Sequence, residues 1–459
     1  MSRRDMEGNP LFDRRALHAG AADAFDRNGR DLLEAKQVGN VISSEPPFPS
    51  RRIVGETITD ADLVGEPMMA WSDLSGQTVG RYFTQGGRLI ALREEGYTKL
   101  RRLVEQVQRS KPFSRGLSSI FLEEETFRWW RATLRGQTHA PLSVHLLDAA
   151  EATVARHTLI VPLANIEIEG AFRLGDVLVT PMHRLPFECF GDVAIRDHPD
   201  RADYVRAARA ELRRDLGHLT GVQIEVVGDL EHAREQARAV AFDMAGVLRL
   251  MSPAAPTWNI PFPCLPYGCE HEPSATVLEM RDGNLGTVSS GLLNPSTFRW
   301  KVTMAELDEL MKAGFQRCAA FFSNRELTGF ERRVKTAVSA YSRGIASHDQ
   351  RNRLVYAMSA AEHLLLRDAS EPIQAGVGDR IAFLVATDAD ARQRVVANFR
   401  KAYGLRSRQV HHLASVDDEE TLSAFFHDTW IMMLSTISNM HRYKEQIDFV
   451  TALDRMKYA

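Results

Sequence analysis

"AYGLRSRQVHH", residues 402–412, is the stretch on which the reading of this 459-residue chain turns. It lies in a region where strand patterns have vanished. After Thr303 the spacing of apolar residues predicts helices over 304–323, 326–346, 350–368, 375–384 and 389–403. A further helical segment is expected around 406–413, and a long helix over 417–444. That last helix carries Leu422, Phe425, Phe426, Ile431, Met433, Leu434, Ile437 and Met440. Its apolar stripe is wide enough to predict both core packing and an oligomer surface. The acidic "SVDDEE" before it suits a helix N-terminus.

Upstream the pattern differs. Residues 1–60 read as a loosely ordered N-terminal arm, with the Pro- and Ser-rich "SSEPPFPSRR" at 43–52 as an extended loop. An amphipathic helix is expected over 88–108, and "TFRWWRATL" at 126–134 continues that region with Trp129 and Trp130 as anchors. Residues 157–182 are rich in Val, Ile and Leu and predict two or three strands. A helix follows at 203–219, a strand at 221–229, and a helix at 231–251 that ends before Pro253. "SATVLEMRDGNLGTVSS" at 274–290 is a hairpin signal around Asp282-Gly283. The fold class is therefore α+β, a mixed α/β N-terminal domain followed by an all-α helical bundle. The expected division is a 1–60 arm, a 61–303 mixed α/β sensor or regulatory domain, a 304–325 connecting helix and a 326–459 helical domain.

Composition limits the function classes. With 44% hydrophobic and 25% charged residues, the chain is an ordinary globular protein. A net charge of −3 excludes a protein that coats nucleic acid non-specifically, so any such contact needs a local basic patch. No apolar run reaches membrane-spanning length, and the charged "MSRRDMEGNPLFDRR" lacks a signal-peptide core. Four Cys do not make a disulfide scaffold. A cytoplasmic protein with no membrane association is expected.

Arg406 and His411 in the opening stretch form an R-x4-H pair, with Ser407 beside the Arg. The spacing also occurs as Arg213 with His218 and as Arg343 with His348, both of which read as solvated helix faces. Five residues along a helix turn through roughly 500°, which leaves two side chains roughly 140° apart. Such a pair converges on one substrate if Arg406 starts a helix, or if a two-fold axis brings a second copy alongside.

Context sets the third pair apart. "RLVYAMSAAEHLLLR" (353–367), "GVGDRIAFLV" (376–385) and "AYGLRSRQVHH" follow one another and precede the long helix. In that order they resemble the Apea-like HEPN domain family, a branch of the HEPN superfamily, over roughly residues 326–459. Tyr403, Arg406, Ser407, Val410 and His411 fall on its Tyr-x2-Arg-Ser-x2-Val-His pattern. Many members carry Asn, Asp or His after the Arg; here the position is Ser407. Glu362 and Arg380 occupy further family-like helix positions and read as structural, a buried charge pair.

The resemblance implies a metal-independent endoribonuclease, active as a homodimer, in a toxin-like or anti-phage defence role. It implies catalytic Arg406, His411 and Ser407, RNA-binding Arg408 and Tyr403, and no metal or other cofactor. The chemistry is consistent with that role. RNA carries its own nucleophile, the 2′-OH. A His with an ordinary pKa near about 6.5 accepts or donates protons. Arg presents a charged fork to phosphate oxygens. The Arg residues of 330–343 and 404–412 supply a basic patch, or plain solvated faces. The N-terminal domain would bind an unidentified trigger, restrain the nuclease or select RNA. The alternative is a non-catalytic HEPN dimerisation module with a ligand- or partner-binding N-terminal domain.

Two other patterns carry ligand-binding residue types. "CLPYGCEH" places Cys264, Cys269 and His271 at a spacing zinc accepts, but a structural site needs a fourth ligand, and nothing in the sequence places Cys189 or Glu272 nearby. It reads instead as a loop with small buried Cys. "QGG" at 85–87 and "GVGD" at 376–379 match neither a P-loop nor a dinucleotide fingerprint.

Overall fold

The computed structural model describes residues 10–40, 69–86, 88–269, 274–281, 284–292, 298–368, 370–412 and 418–456. By internal contacts they form two compact units. One comprises the residues up to His157 together with Val226–Glu235; the other comprises Thr158–Glu225 and the residues from Gln236 on.

The first unit opens with α1 (Ala19–Glu34), within the stretch expected to be a loose arm. Its amphipathic face buries Phe25 and Leu32 completely, which is what orders it. Trp129 packs so closely on Gly29 that a Cβ there would sit 3.0 Å from the ring. Residues 41–60 of the expected arm lie outside the described residues. Then come β1 (Gln37–Asn40), β2 (Met69–Ser72), β3 (Thr78–Gln85) and β4 (Arg88–Arg93), an antiparallel sheet in the order β1-β4-β3-β2. The helix expected to start at 88 therefore starts at α2 (Glu95–Gln108), because "RLIALR" pairs as the central strand β4. A short apolar run does not by itself distinguish strand from helix. Helices α3 (Ser119–Leu134) and α4 (Leu142–Thr153) complete the unit. Trp130 is fully buried and donates from its indole nitrogen to the Leu32 carbonyl at 3.0 Å, tying α3 to α1.

The strands expected over 157–182 are four: β5 (Ala155–Leu163), β6 (Ile166–Ile168), β7 (Phe172–Leu174) and β8 (Val177–Pro181). Short α5 (Asp192–Asp197), α6 (Ala202–Leu216), β9 (Thr220–Gly228) and α7 (Leu230–Met251) follow. A second sheet runs β5-β9-β8-β7. Asp229 begins α7 by accepting from the backbone nitrogens of Glu231 (2.9 Å) and His232 (3.1 Å), satisfying two orphan donors of the helix end. β10 (Ser274–Arg281) and β11 (Asn284–Leu292) form the expected hairpin, with residues 282–283 outside the described residues. β12 (Trp300–Val302) pairs in parallel with β6.

From Met304 on, every described element is helical, so the chain is α+β with a helical C-terminal part. Helix α8 (Met304–Lys312) stops where Gly314 takes φ 110°, and residues 315–322 continue as 3-10 helix. The single helix expected over 304–323 is thus two, divided by the left-handed glycine. The bundle proper is α9 (Gly329–Ala346), α10 (Gln350–Leu365), α11 (Ile373–Val385), α12 (Ala389–His412), α13 (Glu419–Asn439) and α14 (Gln446–Arg455). Thr328 and Glu331 cap α9 reciprocally. α13 packs on α9, α10, α11 and α12. Its Leu422, Phe425, Phe426, Met433 and Ile437 are buried in this core, and Ile431 and Leu434 are half-buried. Neighbouring helices on several sides account for the buried part of the wide stripe, while Ile431 and Leu434 keep part of their surface uncovered.

Candidate functional site

Helix α12 is one continuous helix from Ala389 to His412. The break expected between Tyr403 and Arg406 does not occur. Gly404 sits inside the helix with open space where a Cβ would project, so it neither ends the helix nor answers to a close neighbour. Phe399, Ala402 and Leu405 bury the inner face, and Arg400 and Arg408 are exposed on the outer one.

Continuity decides the geometry of the candidate residues. Arg406 is not at a helix start, so within one chain Arg406 and His411 stay roughly 140° apart around the axis. The helix register puts His411 on the same face as Ser407, one turn away, and as Arg400, three turns away. Tyr403 flanks that face and, with Arg400, lines an open groove against residues 371–375. Arg400 was missed in the sequence, and its signal is legible once the helix is known to be unbroken. The side chains of residues 410–412 lie outside the described residues, so His411 is placed by its backbone alone.

Arg406 points to a different neighbour. It is half-buried, with its Cζ 6.0 Å from the centroid of the Tyr403 ring, inside cation–π range. Its Nε is buried and has no hydrogen-bond partner among the described residues. Glu362 of α10 also has a buried, unpartnered oxygen, Oε1. Burial pushes the Glu362 carboxyl above the usual carboxylate range, and the Arg406 charge pulls it back down. The two charges feel each other while each keeps an unused hydrogen-bonding atom. Removing the cation should release the opposing effect: Arg406→Ala is expected to raise the Glu362 pKa further, read by carboxyl-carbon NMR titration. An unchanged titration would show that the two groups are not coupled.

Arg380 and Glu362, expected to form a buried charge pair, do not. Arg380 is 3% exposed and forks onto two other carboxylates. Its Nη1 and Nη2 donate to Glu371 at 2.8 and 2.6 Å, and its Nε and Nη2 donate to Asp454 at 2.8 and 3.1 Å. Nη1 also donates to the Leu365 carbonyl at 2.6 Å. Burial opposes the charge of Arg380, and these partners outweigh it, holding the guanidinium above its ordinary pKa. Arg380 ties α11 to α14 and takes no part in the candidate site.

The other R-x4-H pairs are elsewhere. Arg213 and His218 are exposed around the end of α6, and Arg343 and His348 flank the end of α9. Of the Cys-rich loop, Cys264 is buried, which pushes its thiol up to about 12, and Cys269 is exposed. Cys189 is also exposed, while His271 and Glu272 lie outside the described residues.

No protein-family description, curated protein or solved structure matches this chain. Among the described residues, no helix is long and apolar enough to cross a membrane.

Proposed function

We propose that the chain is a metal-independent endoribonuclease of the HEPN type, cleaving RNA at a site shared by two copies, in a toxin-like or anti-phage defence role. One observation carries the reading. Arg380, the bundle's other interior arginine beside carboxylates, saturates its fork with them. Arg406 instead forms no ion pair among the described residues, and its side chain is only half-buried. A guanidinium left without a carboxylate fork in this way is open to an incoming phosphate.

The reaction needs no external nucleophile. A base removes the 2′-OH proton, the 2′-oxygen forms a bond to phosphorus, and the bond from phosphorus to the 5′-oxygen breaks. A second proton goes to the leaving 5′-oxygen. His411 is the proton-transfer group. Arg406 stabilises the charge that builds on the non-bridging oxygens. Ser407 adds a hydrogen bond. Tyr403, Arg408 and Arg400 hold the strand through stacking and phosphate contact. Because Arg406 and His411 diverge on one helix, a complete site takes Arg406 from one copy and His411 from the other. The residues outside the bundle then restrain the nuclease, select RNA or bind a trigger.

The full chain incubated with total RNA is expected to leave 2′,3′-cyclic phosphate or derived 3′-phosphate ends, with undiminished cleavage in EDTA. The Arg406→Ala/His411→Ala protein should be inactive. Mass in solution should be that of a dimer or a multiple of it. EDTA inhibition with rescue by Mg²⁺, or an active monomer, defeats the proposal.

A further inference from the structure

The second unit contains a cavity of about 590 Å³ between α7, α9 and α10, closed on one side by Phe321 and Phe322. None of the candidate nuclease residues lines it. Its apolar walls include Phe242, Val247, Leu265 and Val338. Phe242 is 42% exposed, an aromatic ring left partly uncovered at the cavity. The polar lining is cationic and hydroxylic: Arg249, Lys335 and Arg343, with Ser339, Ser342 and Ser347.

Arg249 is the unusual member. It is 4% exposed, and its Nη1 donates to the Cys264 carbonyl while Nη2 donates to the Ser342 hydroxyl at 3.2 Å. Its buried Nε has no partner among the described residues. The cavity's carboxylate, Asp243, lies 2.6 Å from Lys335 and matches that charge instead. Arg343 stands close enough for its charge to act on Arg249. Burial, and then that neighbouring charge, push Arg249 down to about 10. A buried guanidinium with no ion-pair partner of its own among the described residues, in a lining that also carries Arg343, is costly for the folded state, and an anion in the cavity removes that cost. Three cations and one acid leave the lining with a net charge of +2.

We propose that this cavity binds a small phosphate monoester with a flat aromatic body, the chemistry that nucleoside monophosphates share. The Arg343 fork, the second N–H on each terminal nitrogen of Arg249 and the Ser339 and Ser347 hydroxyls offer more donors than a carboxylate's two oxygens would use, and they suit a phosphate dianion. Phe242, Phe321, Phe322 and Tyr356 provide the surface for the ring. The volume falls inside the range of about 300–1,000 Å³ typical of small-molecule sites. The inference does not depend on ribonuclease activity.

Calorimetric titration of the full chain with AMP, GMP, CMP and UMP, in the absence of RNA, tests it. At least one monophosphate is expected to saturate one site per chain. Its nucleoside and inorganic phosphate should each bind at least about tenfold more weakly. Arg343→Glu, at an exposed position that leaves the core intact, should weaken binding by at least about tenfold, and Arg249→Met should abolish it. The Arg406→Ala/His411→Ala protein should bind as the wild type does, which separates this cavity from the nuclease site. The proposal is overturned if none of the four monophosphates binds, if the nucleoside binds as tightly as its monophosphate, if Arg343→Glu binds normally, or if the double variant loses binding.

Discussion

His411→Ala is expected to slow RNA cleavage by about 10²–10⁴-fold, the usual contribution of a positioned proton-transfer group, with the melting temperature unchanged. His411 sits in the last turn of α12, beyond Leu405, the last residue of that helix seen buried in the core. Alanine is compatible with the helix that His411 ends, so a loss of rate without a loss of melting temperature reports on chemistry. Arg406→Lys should cost about 10²–10³-fold in turnover while RNA binding falls only modestly. Lysine keeps the charge but loses the fork, and it is harder to desolvate beside the Glu362 carboxyl. Ser407→Ala removes at most one hydrogen bond and should be milder. The comparison that gives these numbers meaning is His348→Ala, which breaks an identically spaced pair at the end of α9 and should leave cleavage at the wild-type rate. Rates and melting temperatures are needed for all four. Equal behaviour of the two histidine variants, or unfolding of His411→Ala, would mean that α12 serves structure alone.

The helical character of the C-terminal part was legible because the α9, α10 and α11 stretches carry apolar residues at helical spacing between clear caps, such as Thr328 with Glu331. What the sequence hid were choices made by tertiary contacts. Gly404 looks like a helix stop, yet α12 passes through it because Leu405 and Phe399 dock on the core on either side. The apolar width of α13 was read as core plus an oligomer surface, and only packing shows how much of it neighbouring helices of the same chain already cover. Glu362 and Arg380 looked like partners because each was an ionisable residue in a helical core pattern. Which acid an arginine meets depends on the rotation of each helix about its axis, and local spacing does not encode that. α1 was missed because its buried face is narrow, with Phe25 and Leu32 as its large anchors. Tyr403 and Arg406 were expected on two separate helical segments, and which candidate residues share a face followed only from α12 being unbroken.

Arg380→Met should destabilise the bundle by about 3 kcal/mol, at the lower end of what breaking a buried ion pair costs. Methionine fills the aliphatic volume and leaves the Glu371 and Asp454 carboxylates without their shared cation. Their side chains are 17% and 23% exposed, so water recovers part of the loss, and Arg367 remains paired with Asp454. The Leu365 carbonyl also loses its donor. A triple variant, Arg380→Met/Glu371→Gln/Asp454→Asn, should regain much of the stability, because the penalty comes from uncompensated charge more than from lost attraction. The pH dependence provides an independent check. The hydrogen bonds from Arg380, working against burial, hold the Glu371 carboxyl below the usual carboxylate range. A depressed acid stabilises the fold at pH above its unfolded value of about 4.5, and that contribution is lost as the pH falls through the folded value. Urea denaturation between pH 7 and pH 3 should therefore show wild-type stability falling steeply on the acid side, and Arg380→Met falling less steeply from a lower start. Parallel curves for the two proteins would mean that Arg380 does not hold Glu371 in the ionised form, and that α11 and α14 are joined by packing alone.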